Sequence, residues 1–274
     1  MENGSRSAAC SSVSVPWVSS ETVLASMATA AGSSIQTDKT NMQPAVALLK
    51  AARNAMRGEA KVGAVKSLIV KGEEKARNEW YGQVSGATQE WIVRSFEMRM
   101  LFPDHFVRIW GAILPGGKPA RSGFSGKDSV PAREPGKAPT PTWQQSLDAE
   151  RAHFGRLMLI LLLRTDGAAP ATVRAAAGSE STLEVSGLGP FPGYLELDKT
   201  THLPSRLRYQ MEMRTASGPT GEISNQIMNA DDWRDIGGIK LPHHLTIARD
   251  GKIYEDYRFQ TIQVNPSLTA ADFK

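Results

Sequence analysis

The sequence predicts an α+β fold, a curved antiparallel sheet with one strongly apolar face and helices set against it. Three observations carry this. Leu203, Leu207, Tyr209, Met211 and Met213 alternate with Arg206, Arg208, Gln210 and Glu212, the pattern of a sheet solvated on one side. Gly237-Gly238 and Asp250-Gly251 are two-residue turns of the kind that need positive φ and close hairpins. The run Leu157–Leu163 is apolar at every position, and a helix apolar all round must be surrounded.

The chain has 274 residues, 32 basic and 28 acidic, for a net charge of +4. Gly58 follows a helical pattern that begins at Pro44, an N1-type residue, and runs through Val46, Leu48, Leu49, Ala52 and Met56. Lys50, Arg53 and Arg57 face away, so this helix packs on a core or lies on a membrane surface. From Ser67 the period becomes two. Strands are predicted at Ser67–Ala76, Thr88–Leu101, Phe106–Leu114 and Pro119–Gly126. On the second, Ile92, Phe96, Met98 and Met100 share a face, and Arg94 interrupts it as a strand end or a buried charge. Residues 115–142 contain six Pro and five Gly and read mostly as loop. Thr142 with Gln145 forms a capping-box pattern that opens a helix from Trp143 to about Arg164. The C-terminal 110 residues read as hairpins, with strands at Ile239–Arg249 and Lys252–Val264. On the last of them, Ile253, Tyr257 and Phe259 share a face.

Residues 1–40 differ from the remainder. They hold ten Ser, four Thr and six Ala but only five charges, a composition expected to be poorly ordered. Two readings stand, a secretory leader with a weak apolar centre at Val23–Ala30 and a plain unstructured segment. Glu21 stands where a leader carries positive charge, and no apolar run precedes Cys10 to make it a lipidation site. The folded domain is therefore expected over 41–274, with 115–142 as a loop within it. Limited proteolysis is expected to leave a fragment starting near Asn41.

Chemistry-bearing motifs are scarce. Cys10 is the single cysteine, which excludes a disulfide framework or a cysteine metal cluster. His243 and His244 are adjacent and, on a strand, point to opposite faces, so no metal site is expected. Ser125 lacks nucleophile-elbow spacing. Asp231-Asp232 reads as a turn. Neither a Gly-rich phosphate loop nor a Lys/Arg run is present, and the longest apolar run falls far short of the roughly 20 residues of a membrane span. No catalytic residue and no cofactor is assigned, and an enzyme is the least supported class. Met98, Met100, Met211 and Met213 suit either an adaptable binding surface or an ordinary core.

Three segments resemble a known family. They are Ala47–Arg53 with Gly58–Leu68, then Leu195–Pro204 with its Asp198-x-x-Thr201 turn, and Trp233–Pro242 with Val264-Asn265-Pro266. Together they resemble the periplasmic outer-membrane lipoprotein-sorting proteins, relatives of the lipoprotein carrier, over roughly residues 45–273. The resemblance implies a half-open antiparallel β-barrel whose concave face, covered or filled by helices, receives lipoprotein acyl chains. It also implies a periplasmic monomer without a membrane span or nucleic-acid partner, with acylated or other hydrophobic ligands and envelope proteins as partners. On that reading the alternating apolar positions Phe96, Met98, Trp110, Leu207, Tyr209, Met211, Ile247, Tyr257 and Phe259 line the receptacle. Arg94 is the position for a lid contact. The alternative is an interaction or sensor module on the same fold with a filled core.

Overall fold

Each strand from β1 to β5 pairs antiparallel with the next: β1 (Ser67–Arg77), β2 (Trp91–Leu101), β3 (His105–Trp110), β4 (Ala120–Ser125) and β5 (Asp128–Val130). The chain then enters a long helix and returns as β6 (Thr172–Ala175), β7 (Thr182–Ser186), β8 (Gly193–Leu197), β9 (Pro204–Thr215), β10 (Gly218–Ile236), β11 (Ile239–Arg249) and β12 (Lys252–Val264). Since β12 pairs with β1, the two meanders fuse into one twelve-stranded sheet in the order β5-β4-β3-β2-β1-β12-β11-β10-β9-β8-β7-β6. β5 and β6 end it unjoined, so the sheet is open. The computed structural model describes residues 39–78, 90–113, 116–131, 141–166, 168, 171–215 and 218–274. Residues 40–274 form one unit. The expectations for the leader, for Cys10 and for positions Thr88 and Leu114 lie outside the described residues.

Helix α1 (Lys39–Ala55) precedes the short α2 (Glu59–Gly63), and α3 (Pro141–Leu162) joins the two edges of the sheet. At a rise of about 1.5 Å per residue, 22 residues span roughly 33 Å. A helix linking opposite edges must cross a face, and the composition of α3 decides which one. Phe154 and the whole Leu157–Leu163 run are buried. Phe154 stacks on Phe106 at 5.2 Å and meets Phe124 edge-on at 5.5 Å. The concave face therefore receives α3, and the core lies between them with Leu68, Val70, Met98, Met100, Leu195, Leu207 and Leu245. A smaller cluster of Val107, Val130 and Phe273 forms beneath the 3-10 helix Ala270–Phe273.

The turns follow their sequence. Gly237, Gly238, Asp250 and Gly251 all have positive φ. Asp198 Oδ1 accepts from the Thr200 and Thr201 amides at 3.1 and 2.7 Å, closing the β8–β9 turn. Asn265 accepts from the Lys66 amide at 2.7 Å and fastens the last strand to the start of the first.

Several expectations need correction. Pro44 lies in the second turn of α1 rather than at its start, where its missing N–H removes one helical hydrogen bond. Val46 is 60% exposed, because Ala45, Ala52 and Met56 carry the buried face. Asp231 and Asp232 lie within β10, not in a turn, with Asp232 in the left-handed region at φ 52°. Residues 115–142 hold β4 and also β5, a strand too short to show a period.

Candidate functional site

Along three neighbouring strands the inward face changes character halfway. β1 runs from Leu68 and Val70 through Gly72 to Glu74, β2 from Met100, Met98 and Phe96 to Arg94, and β12 from Phe259 and Tyr257 to Glu255. The register aligns these changes. Gly72 faces Phe96 and Phe259, Glu74 faces Arg94 and Tyr257, and Ala76 faces Glu255. Buried Leu157–Leu163 fills the apolar half. The part of α3 before Leu157 instead presents Ala149, Ala152, His153 and Arg156, and a cavity of about 630 Å³ lies beside them. Its apolar wall is Trp110, Tyr209, Met211 and Ile247. Gln145, Asp148, Gly189 and Pro190 border it and are solvent-exposed, which puts its mouth between α3 and the β7–β8 loop. The volume falls within the roughly 300–1,000 Å³ of small-molecule sites.

A bulge shapes one wall. Ile247 pairs with Glu255 and Ala248 with Ile253, so Tyr254 is an extra residue on β12. Bulges of this kind re-aim side chains. Ile253, expected beside Tyr257 and Phe259, is 44% exposed, whereas Glu255 is buried on their side. Tyr254 borders the cavity.

The polar groups here are mostly tied to one another. Arg94 Nε donates to Glu74 at 2.6 Å, a fully buried pair on directly opposed residues. Arg108 Nη2 donates to both carboxylate oxygens of Glu150, at 2.9 and 3.0 Å. Both guanidiniums lie against the Trp110 ring, 4.8 and 4.9 Å from its centroid, within cation–π range. His153 Nε2 lies 3.3 Å from Arg108 Nη1 and must accept, since arginine only donates. Burial, with Arg108 and Arg156 close by, holds the His153 pKa well below its ordinary value. Tyr257 donates to Glu255 at 2.8 Å. Burial, reinforced by the charge of Glu74, pushes the Glu255 carboxyl up to about 7. Arg156 lies with its guanidinium 4.2 Å from the Tyr209 ring centroid and donates to the Leu188 carbonyl.

Of the nine residues expected to line a receptacle, Trp110, Tyr209, Met211 and Ile247 border the cavity. Phe96, Met98, Leu207, Tyr257 and Phe259 are packed in the core. Arg94 proves to be a buried charge whose contacts with Glu74 and Trp110 lie within the sheet, where the resemblance implied a lid contact. Sequence reasoning passed over Arg108, Glu150, His153, Arg156 and Glu255. Signals existed, because Arg108 alternates with Phe106 and Trp110, Glu255 precedes Tyr257 and Phe259 on the same alternation, and Arg156 stands beside the stripe of Phe154, Leu157 and Met158. The paired histidines part as their spacing requires. His243 is buried with Nδ1 at 2.9 Å from the Phe259 carbonyl, and His244 bridges Asp231 and Asp256. Among the described residues no cluster of three His, Cys, Asp or Glu is placed to hold a metal ion.

Neither a family model nor a curated protein matches the chain. Among solved structures, it is similar to a LolA superfamily protein from Nitrosomonas europaea at 11% identity and TM-score 0.44, covering 84% of this chain and 97% of that one. A DUF1329 family protein from Desulfovibrio piger gives 10%, 0.43, 84% and 97%. An outer membrane lipoprotein-sorting protein domain from Vibrio parahaemolyticus gives 11%, 0.41, 82% and 95%. The first and third carry the family name that the sequence motifs resemble.

Proposed function

We propose that the protein is a non-enzymatic binding or carrier protein that takes the apolar chain of a lipid or acylated protein into the cavity under α3. The observation that supports this most is the division of the concave face. One half is closed by Leu157–Leu163, while the other leaves about 630 Å³ with Trp110, Met211 and Ile247 on its wall and exposed residues at its mouth. A fold built only for self-support fills such space, because interiors pack densely and each void forfeits contacts. The part-filled bowl favours a receptacle over an interaction module with a filled core. From the sequence resemblance we take the periplasm as its compartment and a monomer as its form. Native mass spectrometry of the purified full chain tests the reading, with a co-purified or added fatty acyl ligand expected at one per chain. A chain that takes up no acyl compound when these are offered overturns it.

A further inference from the structure

The acids bordering the cavity all have partners. Asp148 accepts from Gln144, Glu150 binds Arg108, Glu212 accepts from the Gly221 amide and Glu255 accepts from Tyr257. Among the arginines, Arg94 has Glu74 and Arg108 has Glu150. Arg156 is the exception. It is 6% exposed, and its guanidinium meets only a carbonyl and the Tyr209 ring among the described residues. Its Nε–H has no acceptor there, and neither does the Nε–H of Arg108, while the hydroxyl of Ser122 has no partner. All three residues border this cavity. Arginine stays charged in proteins, and a buried cation without a counter-ion is costly. Burial does pull the Arg156 pKa below its ordinary value, with no carboxylate among the causes. Glu255, whose partner Tyr257 is neutral, keeps its proton below about pH 7, and there the wall carries one uncompensated positive charge beside an apolar surface.

We propose that the ligand is an amphiphile with a monoanionic carboxylate head that pairs with Arg156, its alkyl tail lying along Trp110, Met211 and Ile247. This rests on the apolar-chain reading and adds a charge requirement to it. A single guanidinium with one unmatched charge suits a monoanion, and a planar carboxylate matches its fork. Arg108 and Ser122 supply further donors on the same wall.

The test uses the full chain at pH 6, where Glu255 is mostly protonated, and two probes of equal tail length, laurate and dodecan-1-ol, each displacing the neutral dye N-phenyl-1-naphthylamine. Laurate is expected to bind about tenfold more tightly than the alcohol, the scale of one charge-assisted hydrogen bond. Arg156→Met should erase that preference and leave alcohol binding in place, with Arg156→Lys retaining part of it. Equal affinity for the two probes in the unaltered protein overturns the head-group assignment and leaves the apolar-chain reading intact, without recourse to any variant. Failure of both probes to bind overturns the apolar-chain reading and this assignment with it. A laurate preference that persists in Arg156→Met shows that another cation reads the head, and also overturns the assignment.

Discussion

Gly72 occupies the strand position where the concave face turns from apolar to charged. A Cβ there would lie 1.9 Å from the Arg258 backbone oxygen and 3.1 Å from a Phe96 ring carbon. The first of these atoms belongs to a paired strand and cannot swing aside. Gly72→Ala should therefore lower stability on the order of 1–3 kcal/mol, the range for forced overpacking, as a shifted urea midpoint; an unchanged midpoint would show that β1 and β12 can separate. Glu255 supplies a pH-dependent case. Its carboxyl rises from an ordinary 4.5 to about 7 when folded, through burial and then Glu74, with Arg108, Tyr257 and Arg94 opposing. Below about pH 4.5 it is protonated in both folded and unfolded chains. As the pH climbs to 7 the unfolded chain gives up its proton first, so stability from this group is lost across that interval and stays lost above it. Glu255→Gln keeps an acceptor for Tyr257 and cannot ionise. Its stability relative to the parent should be near zero at pH 4.5 and grow to on the order of 3 kcal/mol by pH 8. A difference that does not vary with pH would mean that Glu255 is ionised in the fold at neutral pH. In the sequence each of these residues is one polar or small position on an apolar face, and their alignment across β1 and β12 depends on strand register, which no local pattern encodes.

At the scale of elements, α3 was the most legible. Its apolar run demanded burial, and all of Leu157–Leu163 is buried. The two-residue turns and the long alternating strands were equally readable, because positive φ and period two are local properties. The bulge at Tyr254 was not readable, since an extra residue leaves the alternation of the flanking sequence looking unbroken. It took Ile253 off the inner face and left Tyr254 beside the cavity. The methionines could not be assigned from sequence either, as both halves of the bowl use them. The structure separates them, with Met98 packed at 2% exposure and Met211 half-buried on the cavity wall. Met98→Asp buries a charge with no partner and should cost several kcal/mol of stability. Met211→Asp faces space that water can enter, and should leave the melting temperature near the parent value while weakening binding of a fluorescent fatty-acid probe. Equal destabilisation by the two substitutions would mean that the Met211 end of the bowl is closed in solution.

At the scale of the molecule, the decisive fact is the seam between β1 and β12, which joins strands almost two hundred residues apart and which no local sequence pattern announces. That seam sends α3 from one sheet edge to the other, and its uneven composition then fills one half of the bowl and leaves the other hollow. The hollow half forgoes packing in the empty protein, and a bound alkyl chain should restore it. A ligand that binds only the folded chain adds RT ln(1 + [L]/Kd), about 2.7 kcal/mol at one hundred times Kd. For a domain of this size each kcal/mol moves the melting temperature by about 2–4 °C. Laurate at that level should therefore raise the Tm of the full chain by about 5–10 °C, read by calorimetry below the micelle concentration. Leu161→Ala opens space in the filled half and should cost about 2–5 kcal/mol while keeping the ligand-induced rise, because Leu161 does not border the cavity. Met211→Asp should show the reverse, a near-parental Tm without ligand and little or no rise with it. Loss of the rise in Leu161→Ala, at a temperature where that variant is still folded, would show that filled and hollow halves act as one cavity.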